Sequence, residues 1–328
     1  MPGWVKCPPL IVLCAATCLT AWTGAAGAMD LTMGIDAGQV RLVEGGGIHP
    51  DWEDLYISPD EVRVSRQFTN TGAEDVVTVM ALALAPIDFE ASTDFAVDAR
   101  DPRNIIGFDL TVDGAKVAPD IDVTAVRGGR DITPVLVKHG VPLIPFAAFP
   151  GRGWDAYFDR MGQLSEAARR DLEEVDALSF DDPLWTTRVI YYWTVRFPPN
   201  QPVEISYRYV PVPATGLLSR EALADGDIAK RYCLDEAFVS AATARTSRDG
   251  PSTAVAEFVR HVMVTPDVQP PPIGRFYLTV DKGRSDTLVS MCASNVAKTG
   301  ETAVRVERFD FVPDRDIDIV FVRGLDTQ

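Results

Sequence analysis

Histidine is scarce in this chain: His49, His139 and His261 are all it has. None lies in a His-Glu-x-x-His or any other metal-ligand spacing, so no metal centre is expected. A hydrolytic triad needs only spatial proximity, yet no Gly-x-Ser-x-Gly elbow presents a serine for one. Basic charge is also short. Lys and Arg total 31 against 47 Asp and Glu, a net charge of −16. Such a surface repels phosphate backbones, and nucleic acid is not an expected partner. Long apolar runs are missing beyond the first 28 residues. The run Val141-Pro142-Leu143-Ile144-Pro145-Phe146 is short and broken by proline, far below the about 20 residues that a membrane span needs.

What the N-terminus does carry is a three-part export pattern. Lys6 supplies a basic start, Leu10 to Trp22 an apolar stretch, and Ala26-Gly27-Ala28 a small-residue site with cleavage expected after Ala28. The apolar stretch is short and interrupted by Thr. No branched apolar residue precedes Cys18 in the way lipid attachment needs. The expectation is a chain released into the periplasm, with residues 29–328 free of a transmembrane anchor. Its net charge would be one unit more negative than that of the whole, since Lys6 leaves with no acid.

Cysteine narrows the compartment further. Of five cysteines, Cys7, Cys14 and Cys18 lie in the leader, which leaves Cys233 and Cys292. In an oxidising compartment each has one candidate partner. A bridge between them closes about 60 residues and contributes about 4 kcal/mol in the chain-entropy model. A redox or metal-binding thiol pair is the alternative. Without Cys-x-x-C spacing or nearby histidine, the structural disulfide is the expectation.

The rest reads as mainly β. Glu61 to Phe68 alternates, Asn70-Thr71-Gly72-Ala73-Glu74-Asp75 supplies turn chemistry, and Val76 to Ala85 resumes, which predicts an antiparallel pair. Phe108 to Val112 leads to an Asp113-Gly114 hairpin turn. Trp185, Thr187, Val189, Tyr191, Trp193, Val195 and Phe197 share one strand face. Pro198 to Pro202 then turns the chain, and Val203, Ile205, Tyr207 and Tyr209 line the return strand. Such an aromatic face is expected to be sandwich core, with an exposed carbohydrate platform as the alternative. Phe276 to Val280 and Thr287 to Met291 read as a third hairpin. Further strands are expected at Val304 to Phe311 and Ile317 to Val322. Helical spacing covers Trp154 to Val175, split at Gly162 with Ser165 as a cap. Shorter helices are expected over Arg220 to Phe238 and Thr253 to Val262. The expected fold is thus two antiparallel β-sandwich-like lobes, 29–149 and 183–328, flanking a helical insertion at 150–182.

Several motifs are weak on inspection. Gly151-Arg152-Gly153-Trp154-Asp155-Ala156 fits a relaxed dinucleotide pattern, but Pro150 and Trp154 oppose it and no βαβ unit surrounds it. Asp314, Asp316 and Asp318 have spacing that could suit calcium. Ile319 and Leu325 stand where an EF-hand needs Gly and Glu, so solvated acids guarding a strand are the better reading. Asp51, Glu53, Asp54, Asp60 and Glu61 cluster, but no pair is marked out for glycoside hydrolysis. No catalytic residue or cofactor is implied.

Taken together, Asp54-Leu55-Tyr56-Ile57-Ser58-Pro59-Asp60-Glu61 with Phe68-Thr69-Asn70-Thr71, Tyr191-Tyr192-Trp193, Tyr207-Arg208-Tyr209, Tyr232-Cys233-Leu234-Asp235, Val280-Asp281-Lys282-Gly283 and Phe311-Val312-Pro313-Asp314-Arg315-Asp316 resemble, in collinear order, a bacterial family catalogued as domain of unknown function 4424. The resemblance implies an exported bacterial protein and brings no activity with it. The expected function is a non-enzymatic binding or scaffolding module of the cell envelope, with another envelope protein or a cell-wall component as partner. An envelope glycan hydrolase and a purely structural or stress-related envelope protein are the alternatives.

Overall fold

Alternating apolar residues build three sheets that share one interior. The computed structural model describes residues 40–42, 47–89, 101, 104–147, 153–212, 214–219, 223, 226–245, 253–264 and 271–323, all within one compact unit, Ile35–Gln328. The leader and the expected cleavage site after Ala28 lie outside the described residues.

The largest sheet has eight strands, in the order Ala297–Lys298, Ala303–Phe311, Ile273–Asp281, Ile48–Ile57, Val62–Asn70, Pro202–Tyr209, Asp109–Val112 and Ala115–Val117. All neighbours are antiparallel except Ile273–Asp281 with Ile48–Ile57. A bulge at Pro50/Trp52 sits beside Gly274, where a Cβ would lie 2.6 Å from the Asp51 carbonyl oxygen, so that position tolerates no side chain. A six-stranded sheet is centred on Thr186–Phe197, flanked by Val76–Ala83 and Asp120–Arg127. A four-stranded sheet runs Ala214–Ser219, Thr253–His261, Ile317–Arg323, Leu288–Met291.

Leu55, Val64, Phe68 and Ile205 from the first sheet, Leu82, Tyr191 and Val195 from the second, and Val259, Ile319 and Phe321 from the third belong to one buried cluster. The aromatic face of Thr186–Phe197 is therefore core: Tyr191 and Phe197 are 0% exposed and Trp193 is 2% exposed. Phe108 bridges the two larger sheets, its ring 5.0 Å from Tyr191 and 5.4 Å from Tyr207. Rings of this size bury the most area per residue, and they dominate the join.

The expected hairpins divide into two kinds. Asp113 and Gly114, both at positive φ, turn Asp109–Val112 onto Ala115–Val117 as the sequence suggests. The other three do not pair with themselves. Val62–Asn70 lies in the eight-stranded sheet and Val76–Ala83 in the six-stranded one. Thr186–Phe197 and Pro202–Tyr209 divide between the same two sheets, and Ile273–Asp281 and Leu288–Met291 divide between the eight- and four-stranded sheets. Each turn is a corner of the sandwich, carrying the chain from one inner face to the facing one. As a result, strands from 29–149 and 183–328 mix in both large sheets, and only the four-stranded sheet is drawn from one stretch, 183–328, alone.

Asn70 ties two of these corners together. Its side-chain amide donates to the Glu74 carbonyl at 2.8 Å and the Phe197 carbonyl at 2.9 Å, and its Oδ1 accepts from Gly72 N–H at 2.9 Å. Its own carbonyl accepts from Asn200 N–H at 2.7 Å.

Among the described residues the helical elements are Thr133–Lys138, Gly153–Gly162, Glu166–Glu174, Gly226–Tyr232 and Glu236–Arg245, with a short 3-10 turn at Pro145–Ala147. Ser165 caps Glu166–Glu174, accepting from Ala168 N–H at 3.2 Å. Tyr157, Met161, Leu172 and Trp185, each 0% exposed, form the core of this insertion. Gly151 and Arg152 lie outside the described residues, and Gly153 opens a helix. The helix expected over Arg220 to Phe238 is instead two, broken at Cys233, whose φ is 50°.

The helix expected over Thr253 to Val262 is a strand, paired with Ala214–Ser219 and Ile317–Arg323. The reason is burial on both faces. Val259 and His261 face the main core, while Ala256 and Phe258 face a second cluster under the helices Gly226–Tyr232 and Glu236–Arg245. Apolar residues of both parities then imitate helical spacing.

Replacing Asn70 by Ala should leave its buried partners unsatisfied at both corners and cost about 3 kcal/mol, from a loss of about 1–3 kcal/mol per stranded group. Urea unfolding of the wild type and Asn70→Ala measures this. A change below about 1 kcal/mol would mean that the corners do not depend on Asn70.

Candidate binding cleft beside the disulfide

The two cysteines expected to pair do so, and they mark the place where three elements meet. Cys233 follows the helix Gly226–Tyr232, and Cys292, 59 positions further along the chain, follows the edge strand Leu288–Met291. Ser290 Oγ reinforces the join by donating to the Tyr232 carbonyl at 2.9 Å. The Cys292 sulfur lies 3.6 Å from the Lys230 carbonyl oxygen and 3.4 Å from that of Arg231. Carbonyl oxygens so close oppose a thiolate, which favours the bonded, structural form over a redox pair.

A cleft of about 340 Å³ opens beside this bridge, lined by Lys230, Arg231, Leu278, Met291, Cys292 and the run Asp314 to Asp318. Its charges fall into two groups. Asp318 accepts from Arg231 at 3.1 Å and Arg260 at 2.9 Å. Asp316 accepts from the backbone N–H groups of Met263 and Val264 at 3.0 and 3.3 Å. Those two carboxylates are committed to the fold. By contrast Asp314 and Arg315 are exposed and only 3.8 Å apart at closest, and Lys230 is exposed with no acid in ion-pair range among the described residues. Leu278, Met291 and Ile317 supply an apolar wall. The arrangement offers two cations, one carboxylate and an apolar surface.

The other sequence candidates disperse. Asp51 accepts from Thr69 at 2.6 Å and Gln67 at 3.2 Å, Asp54 pairs with Arg305 at 3.1 Å, and Glu61 pairs with Arg63 at 3.1 Å. Asp60 is exposed. Glu53 is buried against Arg66 at 2.9 Å, so its negative charge already has an opposite charge within the core. His49 is exposed. His139 Nε2 lies 2.8 Å from Asp171 Oδ2, and hydrogen bonds from Lys138 and then His139 hold the Asp171 carboxyl below its usual range. Sequence reasoning singled out Asp314, Asp316 and Asp318 and the two cysteines. It missed Lys230, Arg231, Met291 and Arg315, which look like ordinary surface and strand residues until the disulfide draws them together.

A family model described as domain of unknown function 4424 matches residues 28–320. The chain belongs to that family. The match spans both cysteines and the whole cleft lining, and the family's description assigns no activity. No curated protein matches the chain. Among solved structures it is similar to a Legionella pneumophila protein whose proposed role is nutrient binding, with 15% identity over 88% of this chain and 71% of that one and a TM-score of 0.46. Neither the fold nor the role of that protein is carried over.

A second polar feature lies in the core. His261 is 0% exposed with both ring nitrogens unpartnered, and Arg66 Nε and Tyr207 Oη are also buried without partners. Burial, and then the nearby Arg66 charge, push the His261 pKa down to about 3. The unfolded chain holds that proton from about pH 6.5 downward. Stability from neutral His261 is therefore complete above about pH 6.5 and falls by about 1.4 kcal/mol per pH unit below it. Asp109, Asp171 and Asp281, whose pKa values are lowered, lose their contribution only once pH falls below the ordinary carboxylate range. Thermal melts between pH 7 and 4.5 should thus show a loss in the wild type that His261→Phe largely removes. Equal slopes in the two proteins would contradict the assignment.

Proposed function

We propose that this chain is an exported, non-enzymatic binding protein of the bacterial envelope, with the cleft beside Cys233–Cys292 as its seat. The observation that carries the reading is the cleft itself: about 340 Å³, within the usual size range of small-ligand sites, and walled by Leu278, Met291 and the disulfide. Its rim carries Lys230, with no acid in ion-pair range among the described residues, and the exposed pair Asp314–Arg315 at 3.8 Å. A periplasmic location is supported by the export pattern ending at Ala28 and by a disulfide near which carbonyl oxygens disfavour thiolates. The acids clustered at Asp51–Glu61 support binding over glycan hydrolysis, because Asp51, Glu53, Asp54 and Glu61 each already hold a partner. Among the described residues no helix is long and apolar enough to cross a membrane.

Affinity capture from periplasmic extract tests the reading. Wild-type protein should retain a partner or ligand that the double variant Lys230→Glu/Arg315→Glu loses, while the two share a melting temperature. Retention that ignores the substitutions would move the seat elsewhere. Cleavage of added envelope glycan by the wild type would replace binding with hydrolysis.

A further inference from the structure

We infer that the cleft takes a compact zwitterion carrying a free ammonium and a free carboxylate, the chemistry shared by free amino acids and by the ends of cell-wall peptides. This rests on the binding reading above and specifies its ligand. Size sets the first limit. A volume of about 340 Å³ is at the lower end of the about 300–1,000 Å³ range of ligand pockets, so the occupant is small.

Charge sets the second limit, once committed groups are separated from available ones. Arg231 and Arg260 both pair with Asp318, and Asp316, 3.9 Å from Arg260, is also held by two backbone amides, so these four charges balance. What remains at the rim is Lys230 and Arg315 for a carboxylate, and Asp314 for an ammonium. The 3.8 Å approach of Arg315 to Asp314, both well exposed, is weak enough to yield to a ligand bearing the complementary pair. Leu278, Met291 and Ile317 then face the ligand's side chain.

Other ligand classes fit less well. Three carboxylates and three cations line the cleft, a balance that suits a neutral zwitterion better than the concentrated negative charge of phosphate or sulfate. No aromatic ring is in the lining, so a sugar has nothing to stack on. A divalent cation would need Asp316 and Asp318 released from their present partners, and among the described residues no group of three His, Cys, Asp or Glu side chains could hold one.

Isothermal titration of the purified protein tests this with alanine and methionine, their N-acetyl and methyl-ester derivatives, and the dipeptide D-alanyl-D-alanine. The zwitterions should bind, and each blocked derivative should bind at least about tenfold more weakly. Lys230→Ala/Arg315→Ala should weaken alanine binding and abolish its preference over the methyl ester. Asp314→Asn should abolish its preference over N-acetylalanine. Tighter binding of the dipeptide assigns the cell-wall source, and tighter binding of the free amino acids assigns the other. Derivatives that bind as well as their parents, or no binding of any zwitterion at millimolar concentration, overturn the inference. If zwitterions fail while Lys230→Glu/Arg315→Glu still loses the captured partner, the ligand class falls and the binding reading stands. If both fail, the cleft is not the seat.

Discussion

One buried amide, that of Asn70, holds the architecture at its most demanding point. At two neighbouring corners the chain leaves the six- or eight-stranded sheet and enters the other. Each corner exposes backbone groups that no ladder can satisfy. Asn70 meets the carbonyls of Glu74 and Phe197 with one end of its side chain and the Gly72 amide with the other, and its own carbonyl takes the Asn200 amide. Because both crossings are fixed there, the inward faces of Val62–Asn70, Val76–Ala83, Thr186–Phe197 and Pro202–Tyr209 must point at each other. The aromatic join through Phe108, Tyr191 and Tyr207 follows from that. The third corner, after Asp281, delivers Leu288–Met291 to the four-stranded sheet and so brings Cys292 to Cys233. The cleft is a consequence of these crossings, formed where Leu278 of one sheet meets Met291 and Ile317 of another under the end of a helix.

Charge is handled differently inside and at the rim. In the core, Arg66 and Glu53 neutralise each other at 2.9 Å. Uncharged His261 sits nearby at the cost of its proton affinity. At the cleft, Lys230 has no acid in ion-pair range among the described residues, and Arg315 and Asp314 hold each other only loosely, 3.8 Å apart in solvent. Unspent charge next to an apolar wall is what distinguishes this cleft from the many surface ion pairs, whose value to stability is small.

Much of the fold was legible in the sequence, with particular failures. The mainly β class, the buried aromatic face, the Ser165 cap and the Asp113-Gly114 turn all follow from local rules. The corners were misread as hairpins because alternation and turn residues look the same whether the second strand pairs with the first or faces it across a core. Thr253–His261 was misread as helix because both its faces are buried, which erases the two-residue period. The cleft was half visible. Two cysteines pointed to its location and Asp314 to Asp318 to its edge, but Lys230 and Arg315 acquire meaning only through contacts distant in sequence.

On the proposed reading, the cleft beside Cys233–Cys292 is occupied in the cell. Native mass spectrometry of the protein purified from its cells without denaturation reads this most directly. The wild-type protein should carry a small adduct that leaves on acid treatment and is missing from Lys230→Glu/Arg315→Glu protein. An adduct equally present in that variant, or wild-type protein that carries none even from freshly lysed cells, would contradict it.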